Sequence, residues 1–137
     1  MKRHAKAVWE GSIKEGKGNL SSQSGILDNT PYSFKSRFED GKGTNPEELI
    51  AAAHAGCFSM QLSGFLTEEG YTPESLETKG EITLKDGSIT NSHLTLVAKI
   101  PEIGQEKFDS LVEKAEKNCP ISKLLSTEIS VEATLVQ

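Results

Sequence analysis

The chain has 137 residues, of which 35% are apolar and 26% charged, and its formal net charge is −5. That length suits a single domain over 1–137 with a sizeable core, and the composition argues against disorder. An acidic balance with no basic stripe argues against nucleic acid or an anionic membrane surface as partner.

The basic start, Met1-Lys2-Arg3-His4-Ala5-Lys6, is not followed by an apolar stretch and does not read as a secretory signal. No segment reads as long or apolar enough to span a bilayer. The expected location is cytoplasmic, where a cysteine pair is more often reactive than structural.

In chain order, residues 4–13 and 17–24 predict a hairpin across Glu15-Gly16. Residues 31–38 alternate, with Tyr32, Phe34, Ser36 and Phe38 on one side and Ser33, Lys35 and Arg37 on the other, which predicts a strand. Thr44-Asn45-Pro46-Glu47-Glu48 is a helix start: a capping residue, a proline at the first position, then acids in the first turn. The helix is expected to run to about residue 69, before Gly70. It is alanine-rich and apolar nearly all round, so it should be central. Small residues at Ala51, Ala52, Ala53, Ala55 and Gly56 would let another helix approach closely.

Residues 75–85 and 88–100 predict a second antiparallel pair across Asp86-Gly87, with Leu94, Leu96, Ala98 and Ile100 on one face. Residues 104–118 predict a helix with a stripe of Phe108, Leu111, Val112 and Ala115, continued by Cys119. Pro120 opens a short helix, and residues 127–136 close the chain as a strand with Ile129, Val131, Ala133 and Leu135 on one face. The class is α+β, with segregated antiparallel sheets and helices.

Cys57 and Cys119 are the two cysteines of the chain. Brought together they form one dithiol able to cycle to one disulfide, a chemistry that needs no metal and no cofactor. Cys57 lies about three turns inside its helix. The dipole of the helix cannot reach it, and burial would leave it inert unless a cation is near. Arg37 is the candidate cation, because a guanidinium stays charged when desolvated, and Glu47 or Glu48 would supply its carboxylate. Glu47 and Cys57 are ten residues apart on one helix, about 15 Å along its axis and on different faces. One compact site containing both therefore implies a two-fold homodimer in which Glu47 comes from the partner subunit. Cys119 precedes Pro120 at a helix N-cap, where free N–H groups favour a thiolate. Taken alone, that would make Cys119 the more acidic thiol. His54, three residues before Cys57, reads more simply as a hydrogen-bonded helix histidine than as a base or ligand. Cys57, Cys119 and His54 have no zinc-ligand spacing.

Arg37-Phe38-Glu39, Gly43 to Ile50, the run Ala52-Ala53-His54-Ala55-Gly56-Cys57-Phe58-Ser59-Met60, and Asn118-Cys119-Pro120-Ile121-Ser122 resemble the OsmC/Ohr family. His54 and the Phe58-Ser59-Met60 ending are similar to its OsmC, osmotically inducible, branch. The resemblance covers nearly the whole chain from Trp9. It implies antiparallel sheets around a long central helix in an intertwined homodimer with composite active sites. It also implies an antioxidant thiol peroxidase that prefers organic hydroperoxides and acts under oxidative or osmotic stress. Cys57 would be the peroxidatic thiol, Cys119 the resolving thiol, and Arg37 and Glu47 their partners, with no cofactor and no metal. A dithiol, such as a dihydrolipoyl protein, would be the reductant. Phe38, Phe58, Met60, Ile121 and Leu124 are expected to line an apolar substrate pocket. Two rival functions are a redox sensor that oxidises once per stimulus, and an apolar-ligand carrier whose cysteines are core packing.

Overall fold

A computed structural model describes residues 1–136. The chain forms two compact units, Met1–Leu49 and Ile50–Gln137.

In the first unit, β1 (Ala5–Glu10), β2 (Lys17–Ser22) and β3 (Thr30–Tyr32) form an antiparallel sheet in chain order. The predicted hairpin is present, with shorter strands. The predicted strand over 31–38 is corrected. It ends at Tyr32, and a short helix, α1 (Phe34–Phe38), follows. The cause is a local cap. Ser33 is extended, its Oγ accepts the Ser36 N–H (3.2 Å), and Ser36 Oγ accepts the Ser33 N–H (2.8 Å). This reciprocal capping box satisfies backbone donors that a strand would have to pair elsewhere. The Phe34/Phe38 pair could not discriminate, because residues four apart share a face in either geometry; their ring centroids are 5.0 Å apart.

The long helix α2 (Pro46–Glu68) starts at Asn45, whose Oδ1 accepts the Glu48 N–H at 2.8 Å. In the second unit it presents a buried row of His54, Phe58, Leu62 and Leu66. An opposite row of Ala52, Ala53, Gly56, Met60 and Gly64 is exposed, so burial all round, as the composition suggested, is not found within one chain. The core elements cover only one side. By length and composition α2 also meets the requirement for a bilayer span, with a mean hydropathy of 1.3 in its most apolar window, contrary to the sequence expectation. Alanines supply much of that value, and core helices pass the same test.

β4 (Ser75–Lys85) and β5 (Ser88–Lys99) form the second hairpin. Asp86 (φ +50°) and Gly87 (φ +78°) close it with the two left-handed residues that a tight hairpin turn needs. A Cβ on Gly80 of β4 would lie 2.6 Å from the Ala51 carbonyl oxygen, so glycine there lets the α2 backbone approach the sheet. The helices α3 (Gln105–Asn118) and α4 (Pro120–Leu124) follow, and β6 (Glu128–Val136) returns to pair with β5. That pairing is parallel, with Leu94 opposite Val131 and Leu96 opposite Ala133. The expectation of purely antiparallel sheets is therefore corrected: this sheet, ordered β4-β5-β6, is mixed. A helical crossover brings the chain back to the end where β5 began, which forces a parallel neighbour. The predicted faces of β5 and α3 are both buried, and they join the α2 row in one core. Full burial of Phe58, Leu62 and Leu66 contributes about 1.5–3 kcal/mol each.

Candidate active site

Within the second unit the two thiols meet. Cys119 Sγ donates to Cys57 Sγ across 2.8 Å. Cys57 is half-buried on α2, whereas Cys119 is fully buried. Cys119 ends the α3 stripe and is also the N-cap of α4, so helix periodicity and the Pro120 break together point its side chain inward. Closing a disulfide needs an approach of about 0.8 Å from this separation. Burial pushes the Cys57 thiol up, and the hydrogen bond with Cys119 adds to this, while a backbone hydrogen bond from Ile121 opposes it. No cation figures among the groups that shift Cys57. The environment supplied by the thiols' own unit thus makes a close pair, and does not make an acidic one.

His54 is fully buried beside this pair. Its Nδ1 lies 2.6 Å from Ser92 Oγ on β5, and its Nε2 lies 2.8 Å from Ser122 Oγ on α4. Burial lowers its pKa. The neutral ring therefore has one nitrogen donating and the other accepting. This agrees with the reading of a hydrogen-bonded helix histidine. Ser92 and Ser122 were missed in the sequence. Their signals were a polar residue in the buried row of β5, and a serine as far after Cys119 as His54 is before Cys57.

In the first unit, Arg37 and Glu47 pair. Arg37 Nε and Nη2 donate to Glu47 Oε1 and Oε2, both at 2.9 Å. This is the bidentate fork that suits guanidinium and carboxylate. The hydrogen bond to Glu47 raises the Arg37 pKa, so the group stays charged. Glu48 does not compete for it, since its Oε2 accepts from Thr44 Oγ1 at 2.7 Å. Because residues 34–38 are helical, Arg37 does not leave a face opposite the phenylalanines; its guanidinium carbon lies 5.1 Å from the Phe38 ring centre.

The expected lining of the apolar pocket is also corrected. Phe58 is fully buried in the core, while Met60 and Leu124 are 79% and 74% exposed. The first unit instead has an apolar cavity of about 280 Å³ lined by Trp9, Ile13, Tyr32, Phe34, Phe38 and Arg37. Phe38 is the one residue of the expected lining found here; alternation had grouped it with Tyr32 and Phe34 but could not add Trp9 and Ile13 from the first hairpin. Among the described residues, no group of three or more His, Cys, Asp or Glu side chains is placed to hold a metal ion.

The model of the OsmC-like protein family matches residues 39–134. The chain is 45% identical to peroxiredoxin OsmC of Escherichia coli K12, over 97% of this chain and 96% of that protein. It is 33% identical to the organic hydroperoxide resistance protein OhrB of Bacillus subtilis, over 86% of this chain and 88% of that one. The crystal structure of OhrB superposes with a TM-score of 0.68 at 28% identity, covering 97% of this chain and 98% of that chain. An OsmC-like protein from Vibrio cholerae shares the fold, with a TM-score of 0.75 at 16% identity over 98% of this chain and 99% of that chain. On the family match and the near full-length identity, this chain belongs to the OsmC family.

Proposed function

We propose that the protein is a cysteine-based peroxidase that reduces organic hydroperoxides, and hydrogen peroxide more weakly, to alcohols and water. The observation that carries this reading is the 2.8 Å approach of Cys57 and Cys119, with one thiol half-buried and the other buried. The names of the related proteins, a peroxiredoxin and organic hydroperoxide resistance proteins, support it.

The Cys57 thiolate attacks the distal peroxide oxygen. The O–O bond breaks, the alcohol leaves with a proton, and sulfur is oxidised to a sulfenic acid. Cys119 then displaces that oxygen as water and forms the Cys57–Cys119 disulfide. An external dithiol, such as a dihydrolipoyl protein, reduces it by exchange and is itself oxidised to a disulfide. Cys57 needs a cation to act at neutral pH, and Arg37, held by Glu47, is assigned to lower its pKa and to orient the peroxide. Glu47 and Cys57 stand about 15 Å apart along one helix. The Arg37–Glu47 pair is therefore assigned to the Cys57 of a second copy, in a homodimer whose sites are composite. The exposed row of small residues on α2 suits the close approach of that copy's helix.

Consumption of cumene hydroperoxide with a dithiol and then a monothiol as reductant tests the activity. Turnover with the dithiol is expected, and one oxidation per protein without turnover would favour a sensor. Mixing Cys57→Ser with Arg37→Met subunits under exchange tests the composite site. Recovery to about a quarter of wild-type activity is the statistical expectation for a two-fold dimer, and no recovery would refute the composite assignment.

A further inference from the structure

Two side-chain hydrogen bonds tie α2 to α4 and its N-cap, beside the backbone hydrogen bond from Ile121 to Cys57. His54 Nε2 meets Ser122 Oγ at 2.8 Å, and Cys57 meets Cys119 at 2.8 Å. His54 lies three residues before Cys57, and Ser122 lies three residues after Cys119. The two contacts are thus rungs of one ladder, about one helical turn apart on each side. The helix α4 has only five residues, and a helix that short has no stability of its own. Its place depends on what its side chains touch, and Ser122 is its buried residue. The ring that Ser122 meets is fully buried, with its other nitrogen 2.6 Å from Ser92 Oγ of β5.

We propose that the His54–Ser122 contact is a second rung that holds α4 on α2 and so sets how readily Cys119 closes on Cys57. The peroxide part of this inference rests on the function proposed above. Once Cys57 is a sulfenic acid, the thiol rung is lost and two reactions compete. With α4 docked, Cys119 attacks the Cys57 sulfur, an S–S bond forms and water leaves. With α4 displaced, a second hydroperoxide transfers an oxygen to the Cys57 sulfenate. Sulfur is then oxidised to the sulfinate, the O–O bond is reduced, and the alcohol leaves. His54 and Ser122 touch neither peroxide nor the reacting sulfur in this scheme; they are positioning residues.

The first test uses no peroxide. The full-length protein is equilibrated with mixtures of reduced and oxidised dithiothreitol, and the disulfide fraction is read by alkylation and mass spectrometry. Ser122→Ala is expected to weaken the disulfide equilibrium about tenfold, roughly 30 mV toward a less negative potential. Ser122→Thr keeps the hydroxyl and is expected to stay within about twofold of wild type. Ser92→Ala removes a bond to the same ring but leaves the rung, so it serves as a matched control for general loosening and is expected to shift less than about twofold. No shift in Ser122→Ala, or an equal shift in Ser92→Ala, would overturn the proposal. In a second test, cumene hydroperoxide is titrated and the Cys57 sulfinate is measured by mass. Its fraction at a given dose is expected to rise about tenfold in Ser122→Ala, and an unchanged fraction counts against the rung. If the peroxide fails to oxidise even the wild-type thiols, the peroxidase reading falls, while the potential still decides the rung.

Discussion

The thiol pair and the ion pair are built in different environments. Cys119 belongs to the core and Cys57 packs half-buried against it, where burial raises the Cys57 pKa and a second sulfur lies within 2.8 Å. Arg37 lies at the surface with 36% of its side chain exposed, and Glu47 beneath it keeps 14% exposed. Their charges are retained, and a bidentate fork fixes their orientation. Burial gives a thiol its resolving partner and protects it, but disfavours the thiolate that does the chemistry. Exposure keeps a cation charged at every relevant pH but leaves a simple ion pair weak. Under the proposed mechanism a peroxidatic cysteine needs both qualities, and the assignment of Arg37–Glu47 to Cys57 would supply them from two kinds of environment.

Substitutions on the two sides of this comparison should have unequal effects. Cys57→Ser removes the nucleophile and is expected to cut cumene hydroperoxide turnover by about 1000-fold or more. A residual rate near wild type would place the attack on Cys119. Arg37→Met removes the cation and is expected to lower kcat/KM by about 100-fold, with the alkylation of Cys57 by iodoacetamide moving to higher pH. If the alkylation profile stays put, the guanidinium does not act on the thiol. Glu47→Gln leaves the cation but loosens the fork, and about a tenfold loss is expected in the same assay. A loss as large as that of Arg37→Met would make Glu47 more than an anchor.

The smallest effect concerns stability. His54 has its pKa lowered by burial, so below the ordinary imidazole range the unfolded chain binds a proton that the folded chain refuses. Its contribution is therefore present above about pH 6.5 and is lost as pH falls below it, with a slope of at most about 1.4 kcal/mol per pH unit. Urea unfolding at pH 7 and pH 5 should show this difference reduced in His54→Gln. An equal slope in both proteins would remove His54 from the account. The thiol has the opposite sense: burial raises the Cys57 pKa, so once Arg37→Met removes the cation assigned to lower it, the rate of attack should climb with pH through and above the ordinary thiol range.

Much of the architecture was legible where a local rule had one solution. Asn45-Pro46 with Glu47 and Glu48 could only open a helix, and the α3 stripe from Phe108 to Ala115 correctly carried Cys119 into the core. Residues 33–38 were misread because four-residue spacing satisfies strand and helix alike, and the Ser33/Ser36 cap decided between them. Arg37 and Glu47 were named as partners from charge, but the choice of Glu47 over Glu48 depended on Thr44 taking the other carboxylate. Alternation grouped Tyr32, Phe34 and Phe38 on one side, but it left no trace of Trp9 and Ile13, which complete the cavity from the first hairpin.

By itself, then, the sequence determined most of the elements, the inward face of most of them, and the chemistry available: two thiols, the Arg37 guanidinium and the carboxylates near it. These follow from periodicity, capping and side-chain type, all of which act within a few residues. Tertiary structure alone decided that β6 runs parallel to β5, that Cys57 and Cys119 touch although 62 positions apart, and that His54 ties α2 to both Ser92 and Ser122. Those contacts join residues far apart in the chain. They are set by which faces can be buried together, a property of the whole core that no local pattern encodes.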